Sequence, residues 1–258
     1  MDIYQHFRKE EQSFIDNVLS WIDQVEKTFT SKVTDFLDPR EQQIVDMLAG
    51  TSQEDLNVYK HGGNDASERK RMVIAPFYEE VTEVSFQLNL LQGNYHEKFV
   101  SLSHRDVMGA FLSLGIKRKK LGDIFAGNGI IQIVAADEIT PYVLANLTSI
   151  KNAKIKLEEK PLSMLIETEK KWLETDQTVS SLRLDAVLKT IYSLSRKDAT
   201  EYVTKGLVKV NFRVVDDPKF QLEEGDILSM RGKGRSKLVS INGTTKKDKC
   251  RITTAVLK

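Results

Sequence analysis

Ser195-Arg196-Lys197-Asp198-Ala199-Thr200-Glu201-Tyr202-Val203-Thr204-Lys205-Gly206-Leu207-Val208-Lys209-Val210-Asn211 reads as a helix with both ends marked, running into a strand. Ser195 offers an N-cap hydroxyl and Asp198 stands at N3, the two halves of a capping box. Ala199, Tyr202 and Val203 share a helix face, and Gly206 follows Lys205 as the stop. Upstream, Leu184, Val187, Leu188 and Ile191 fall at i, i+3, i+4 and i+7, a second apolar helix face joined to the first through Tyr192-Ser193-Leu194. Downstream, Phe212-Arg213-Val214-Val215 follows the strand. Gly225-Asp226 then turns into Ile227-Leu228-Ser229-Met230. Arg231-Gly232-Lys233-Gly234-Arg235-Ser236-Lys237 reads as a flexible basic stretch before Leu238-Val239-Ser240-Ile241.

The charges of this segment are unevenly shared with the rest of the chain. Residues 181–258 hold 17 Lys and Arg against 9 Asp and Glu, while residues 1–180 hold 21 against 28. The near-neutral total of +1 conceals a basic end, which points to a polyanionic partner. Arg196 and Lys197 lie in the first turn of a helix, where free N–H groups and the dipole already attract anions. Two cations there disfavour the helix slightly, and a phosphate offsets that cost. Lys209 and Arg213 flank the next strand, and Arg231, Lys233 and Arg235 extend the same charge.

Arg183-Leu184-Asp185 with Leu188, then Ser195-Arg196, Ala199, Gly206, Val208, Val210-Asn211 and Gly225-Asp226 resembles, in order and spacing, the RNA-binding domain named after small-subunit ribosomal protein S-four. The resemblance covers about sixty residues. It implies docking on folded RNA through Arg183, Ser195, Arg196, Lys197, Lys209 and Asn211, with Asp185 holding the helix pair together. One position departs: many members carry Gly after the Val-Asn pair, and Phe212 stands there. That puts the tight turn in question and offers an aromatic to stack on a base.

Outside that module the chain divides into three further stretches. Residues 1–75 are an N-terminal α+β accessory domain: Phe14, Val18, Trp21, Ile22 and Val25 give one helix, and Asp38-Pro39 caps a second that stops at Gly50. Leu56–Tyr59 and Arg71–Ala75 are short strands around the turn-rich His61-Gly62-Gly63-Asn64-Asp65. Residues 76–160 alternate strand and helix: Val84–Leu88, a helix opened by Ser103-His104-Arg105-Asp106 and closed by Gly115, a Gly127-Asn128-Gly129 turn into Ile130–Val134, a helix from about Ala136, and Ala153–Leu157. That order suits a central split-βαβ, RRM-like RNA-binding domain. Residues 161–180 read as a connector, and 181–258 as the C-terminal S-four-type (αL-motif) domain, so the fold class is α+β. The layout is similar to the YlmH-like proteins of Gram-positive bacteria. Ser103–Gly109 and Gly115–Asp123 look like the middle-domain signature of that group.

This second resemblance implies a cytoplasmic, ribosome-associated, non-catalytic factor on ribosomal RNA of the large subunit, with tRNA as a further contact when translation stalls. It also suggests a link to cell division. His104, Arg105, Arg118 and Lys119 are the candidate second RNA contact. No apolar run approaches the roughly 20 residues of a membrane span, and Met1–His6 lacks the pattern of a signal peptide. Cys250, the single cysteine, has no metal-ligand spacing with His6, His61, His96 or His104, so neither a metal nor another cofactor is expected, nor a small-molecule substrate, and the chain is taken as a monomer.

The enzyme alternative is an RNA-modifying one. In pseudouridine synthases the catalytic aspartate lies in an Arg-Leu-Asp stretch, but here Ala186-Val187-Leu188-Lys189 continues as a helix face. The His-x-Gly-His and Lys-Met-Ser-Lys-Ser segments of tyrosyl-tRNA synthetases are missing, and Gly127-Asn128-Gly129 precedes a strand where a methyltransferase loop follows one.

Overall fold

A computed structural model of the chain describes residues 7, 11–50, 56–167, 171–245 and 248–257. Met1–His6, read above for a signal peptide, lies outside them. The chain forms two compact units, residues 1–168 and 169–258.

In the first unit, α1 (Gln12–Thr28) buries Ile15, Val18, Ile22 and Val25, the stripe the spacing predicts. Helix α2 (Pro39–Ala49) starts on Asp38, whose carboxylate accepts from the Arg40 and Glu41 N–H groups while Glu41 accepts from the Asp38 N–H. These helices pack on a small antiparallel sheet in which β3 (Arg71–Pro76) lies between β1 (Lys32–Val33) and β2 (Leu56–His61). The two-residue β1 is too short to leave a period-2 signature.

The other half of this unit is a four-stranded antiparallel sheet. Its strands are β4 (Leu88–Asn94), β5 (Leu121–Gly127), β6 (Ile130–Ala136) and β9 (Leu157–Lys160), in spatial order β5-β6-β4-β9. Helix α3 (His104–Ser113) follows β4, and α4 (Thr140–Asn146) follows β6. The connection is the expected split βαβ, with three corrections. Glu83–Phe86 is a 3₁₀ turn and the strand begins only at Leu88. Leu121–Gly127 adds a strand in front of the Gly127–Gly129 turn. Ala153–Lys154 is β8, paired in a small hairpin with β7 (Ser149–Ile150), so the closing strand starts at Leu157.

The second unit is a six-stranded antiparallel sheet in the order β10-β15-β14-β13-β11-β12. Its strands are β10 (Trp172–Val179), β11 (Val208–Val210), β12 (Arg213–Val214), β13 (Ile227–Met230), β14 (Gly234–Thr244) and β15 (Cys250–Leu257). Trp172–Val179, assigned above to the connector, is instead an edge strand paired along the whole of β15. Helices α5 (Leu184–Ile191) and α6 (Arg196–Thr204) pack on one face of the sheet. Leu184, Val187, Leu188, Ala199 and Val203 meet Val208, Val210, Leu228, Met230 and Leu238 in one core. The basic stretch from Arg231 is less supple than its glycines imply: Arg231–Lys233 is a turn closed by the Lys233 N–H on the Met230 carbonyl, and Gly234–Lys237 already belongs to β14.

Candidate nucleic-acid interface

The cations of the second unit fall into two clusters. The first surrounds Asp185, whose side chain is 2% exposed at the start of α5. Arg183 forks onto it through Nε at 3.0 Å and Nη2 at 2.9 Å, and Arg196 Nε lies 3.6 Å from the same carboxylate. Arg183 therefore serves the internal joint between the helices, and its charge is largely met by the protein. Arg196 stays mostly exposed and keeps donors for solvent. Lys197 is exposed beside it. Ser195 spends its hydroxyl on the Asp198 N–H at 3.0 Å, the expected cap.

The second cluster is built by strand register. Lys209 pairs with Ser229, and Ser229 with Arg235, so the three side chains stand in one cross-strand row. Inward neighbours Val208, Val210, Leu228 and Met230 meet the helices, which leaves the row on the opposite face. Arg213 is exposed on the edge strand, and Arg231 and Lys233 are exposed in the adjoining turn.

Between β11 and β12 the turn consists of Asn211 and Phe212 alone, since Val210 pairs with Arg213. Both residues have positive φ, +47° and +68°, as a type I′ hairpin turn demands. The tight turn thus survives the loss of the usual glycine. Asn211 holds it: its Nδ2 donates to Asp226 at 2.8 Å and its Oδ1 accepts from the Ile227 N–H at 2.9 Å. That amide is committed to the fold. Phe212 lies under the Arg235 guanidinium, 5.6 Å from ring centroid to Cζ, and is half-exposed.

The chain's three parts each match a family model. "YlmH, N-terminal" matches residues 10–79, "Putative RNA-binding domain in YlmH" residues 82–164, and "S4 domain" residues 182–228. Ribosome-associated protein quality control protein P2 of Bacillus subtilis (strain 168) is 44% identical over 256 residues, 98% of this chain and 97% of that protein. The chain belongs to the YlmH family. A solved structure, cell division protein ylmH from Streptococcus pneumoniae, superposes with a TM-score of 0.57 at 28% identity, covering 64% of this chain and 99% of that one. Small ribosomal subunit protein uS4 of Finegoldia magna is 40% identical over 55 residues, 21% of this chain and 28% of that protein.

In the YlmH-type middle domain the candidate second site separates. His104 and Arg105 are exposed in the first turn of α3. Ser103 caps that helix, and Asp106 accepts from the Ser103 N–H at 2.9 Å and from Lys151 Nζ at 2.7 Å. The Lys151 bond, then those of Ser103, hold the Asp106 carboxyl down at about 2. Stability from this contact is complete above the ordinary aspartate range and is lost as pH falls toward 2. Lys151→Ala should move the Asp106 titration up toward an ordinary value near 4. A carbon-detected NMR titration checks it, and an unmoved midpoint would remove Lys151 from the contacts that hold Asp106 ionised.

Arg118 and Lys119 point elsewhere. Arg118 is half-buried with Nη1 donating to the Leu121 and Gly122 carbonyls, and burial lowers its pKa to about 10. Lys119 pairs with Asp35 at 2.7 Å, and Lys120 bridges Asp35 and Glu138. Lys119 and Lys120 thus tie the two halves of the first unit together through Asp35. No helix among the described residues is long and apolar enough to cross a membrane, and among them no group of His, Cys, Asp or Glu is placed to hold a metal.

Proposed function

We propose that this YlmH-family chain is a non-catalytic factor that grips folded ribosomal RNA, with tRNA as a further contact, and acts in the cytoplasm as a monomer during ribosome quality control. The observation that carries the reading is the row Lys209, Ser229 and Arg235 on the helix-free face of the terminal sheet, flanked by Arg213 and with Phe212 against Arg235. A flat basic face beside a rigid aromatic neutralises phosphates and reads shape, which is the chemistry of structured-RNA binding. Lys197 and Arg196 add charge from the helix start. The name of the Bacillus relative supports the ribosomal setting.

Asp185 supports the non-catalytic part. It occupies the aspartate position of the Arg-Leu-Asp stretch, yet it is buried and spent on two arginines. The proposed organisation keeps an accessory domain over 1–75, an RNA-binding domain over 76–160 and a terminal RNA-binding domain, now including the strand from Trp172.

The test is ribosome co-sedimentation across a salt series. Lys197→Ala with Lys209→Ala should weaken binding and lower the salt slope by about two, one for each lost phosphate contact. Unchanged slope and affinity would remove the terminal unit from the RNA.

A further inference from the structure

The middle domain has the strand order of an RNA-recognition module, and such modules commonly stack bases on aromatics of the open sheet face. In this chain that face is closed. Phe36, buried from the N-terminal half, packs so tightly on Gly122 that an added Cβ there would lie 2.6 Å from its ring. Leu162 and Leu165 cover Leu90 and Val134. Gln132 donates to the Gln92 side chain and the Met164 carbonyl at 2.8 Å and accepts from the Ile166 N–H at 2.7 Å. The central positions that would carry stacking rings are Leu88, Leu90, Gln132 and Val134, none aromatic. The two central strands of this domain are therefore closed to stacked bases.

The segment after β4 offers another surface. Phe99 is 84% exposed at the apex of a turn in which the Phe99 and Val100 N–H groups both bond the His96 carbonyl, at 3.0 and 3.2 Å. The turn is anchored on both sides. Tyr95 is buried and bonds Gly129 at 2.8 Å, Leu102 is buried, and Val100 packs on the core. Lys151 Nζ reaches the Ser101 carbonyl at 3.5 Å. A large ring held out by a fixed loop wastes apolar area unless something covers it. His96 is in edge contact with it at 6.3 Å, Lys98 is its chain neighbour, and His104 and Arg105 follow in the first turn of α3, where the carboxylate of Asp106 is already held by Ser103 and Lys151. A lone ring among cations suits one unstacked base and its phosphates better than an apolar protein patch.

We propose that the Phe99 turn is a single-stranded RNA contact, in which one base stacks on the Phe99 ring and Lys98 and Arg105 take the flanking phosphates. The inference rests on the RNA-binding reading of the family but on none of the terminal-unit residues.

The full chain is titrated against a fluorescein-labelled 12-nucleotide single-stranded oligouridine and a duplex RNA of the same length. Phe99→Ala should weaken the single strand about tenfold, leave the duplex unchanged, and be rescued by Phe99→Trp. With 4-thiouridine in the strand, cross-links should fall on the tryptic peptide Phe99–Arg105. Wild-type affinity in Phe99→Ala, equal losses for strand and duplex, or cross-links confined to residues 169–258 would each overturn the proposal. Because Lys197→Ala with Lys209→Ala leaves this loop intact, failure of the terminal interface and failure of the Phe99 contact give separate results.

Discussion

Arg71→Met should destabilise the first unit by about 1–3 kcal/mol, the cost of leaving a buried carbonyl without its charged donor. Arg71 has a side chain only 5% exposed on the central strand of the small sheet. Its Nε donates to the Thr34 carbonyl at 2.7 Å, and its Nη1 donates to the Gln87 carbonyl at 3.0 Å and reaches Glu138 at 3.4 Å. Methionine fills much of the volume but supplies no donor. The buried Thr34 carbonyl loses this donor, at a cost of about 1–3 kcal/mol, while the Gln87 carbonyl keeps the Asp137 N–H and Glu138 keeps Lys120. Urea unfolding followed by Trp21 fluorescence in a Trp172→Phe background reports this unit by itself. A shift under about 1 kcal/mol would mean that the guanidinium is replaceable there.

The same cluster sets an acid limit. Burial pushes the Asp35 carboxyl up, and bonds from Lys119 and Lys120 more than reverse that; Glu138 behaves alike, through Lys120 and Arg71. Both carboxyls end below their ordinary values. The stability they add is present above pH of about 4 and is lost as pH falls through the lowered folded values.

These contacts explain what could and could not be read from the chain. Local signals survived folding: the Asp38 and Ser103 caps, the Ser195 cap with Gly206, and the apolar stripes of α1, α5 and α6 all act within one helix. The ion pairs of Lys119 and Lys120 could not be read locally because their countercharge is remote in sequence, Asp35 lying 85 residues from Lys120. A carboxylate brought in by tertiary structure leaves no trace in a local window. Strand β10 hid for the opposite reason. It is an edge strand with both faces in water over Leu173–Asp176, so Glu174, Thr175, Asp176 and Gln177 look like a linker. The closing of the middle sheet was equally invisible, because Phe36 comes from another part of the chain and Gly122 only makes room for it.

The departure at Phe212 was legible, and its consequence can be tested by an opposition between stability and binding. An L-residue in the left-handed region costs about 1–2 kcal/mol, and Phe212 sits there at +68°. The Arg235 contact returns about 0.5–1 kcal/mol. Phe212→Gly removes both, so the second unit should unfold within about 1 kcal/mol of wild type. Its RNA binding should behave otherwise. If the ring is the stacking surface beside Lys209 and Arg235, its loss forfeits about 1–3 kcal/mol per stacked base, an affinity change of about 5- to 150-fold. Phe212→Tyr keeps the ring and should retain affinity. Ribosome binding and urea unfolding measured on the same preparations decide the matter. A glycine variant that binds normally would make the ring a mere cover for Arg235. One that loses several kcal/mol of stability would make it a structural anchor, and either result would overturn its role as a stacking surface kept at a cost in stability.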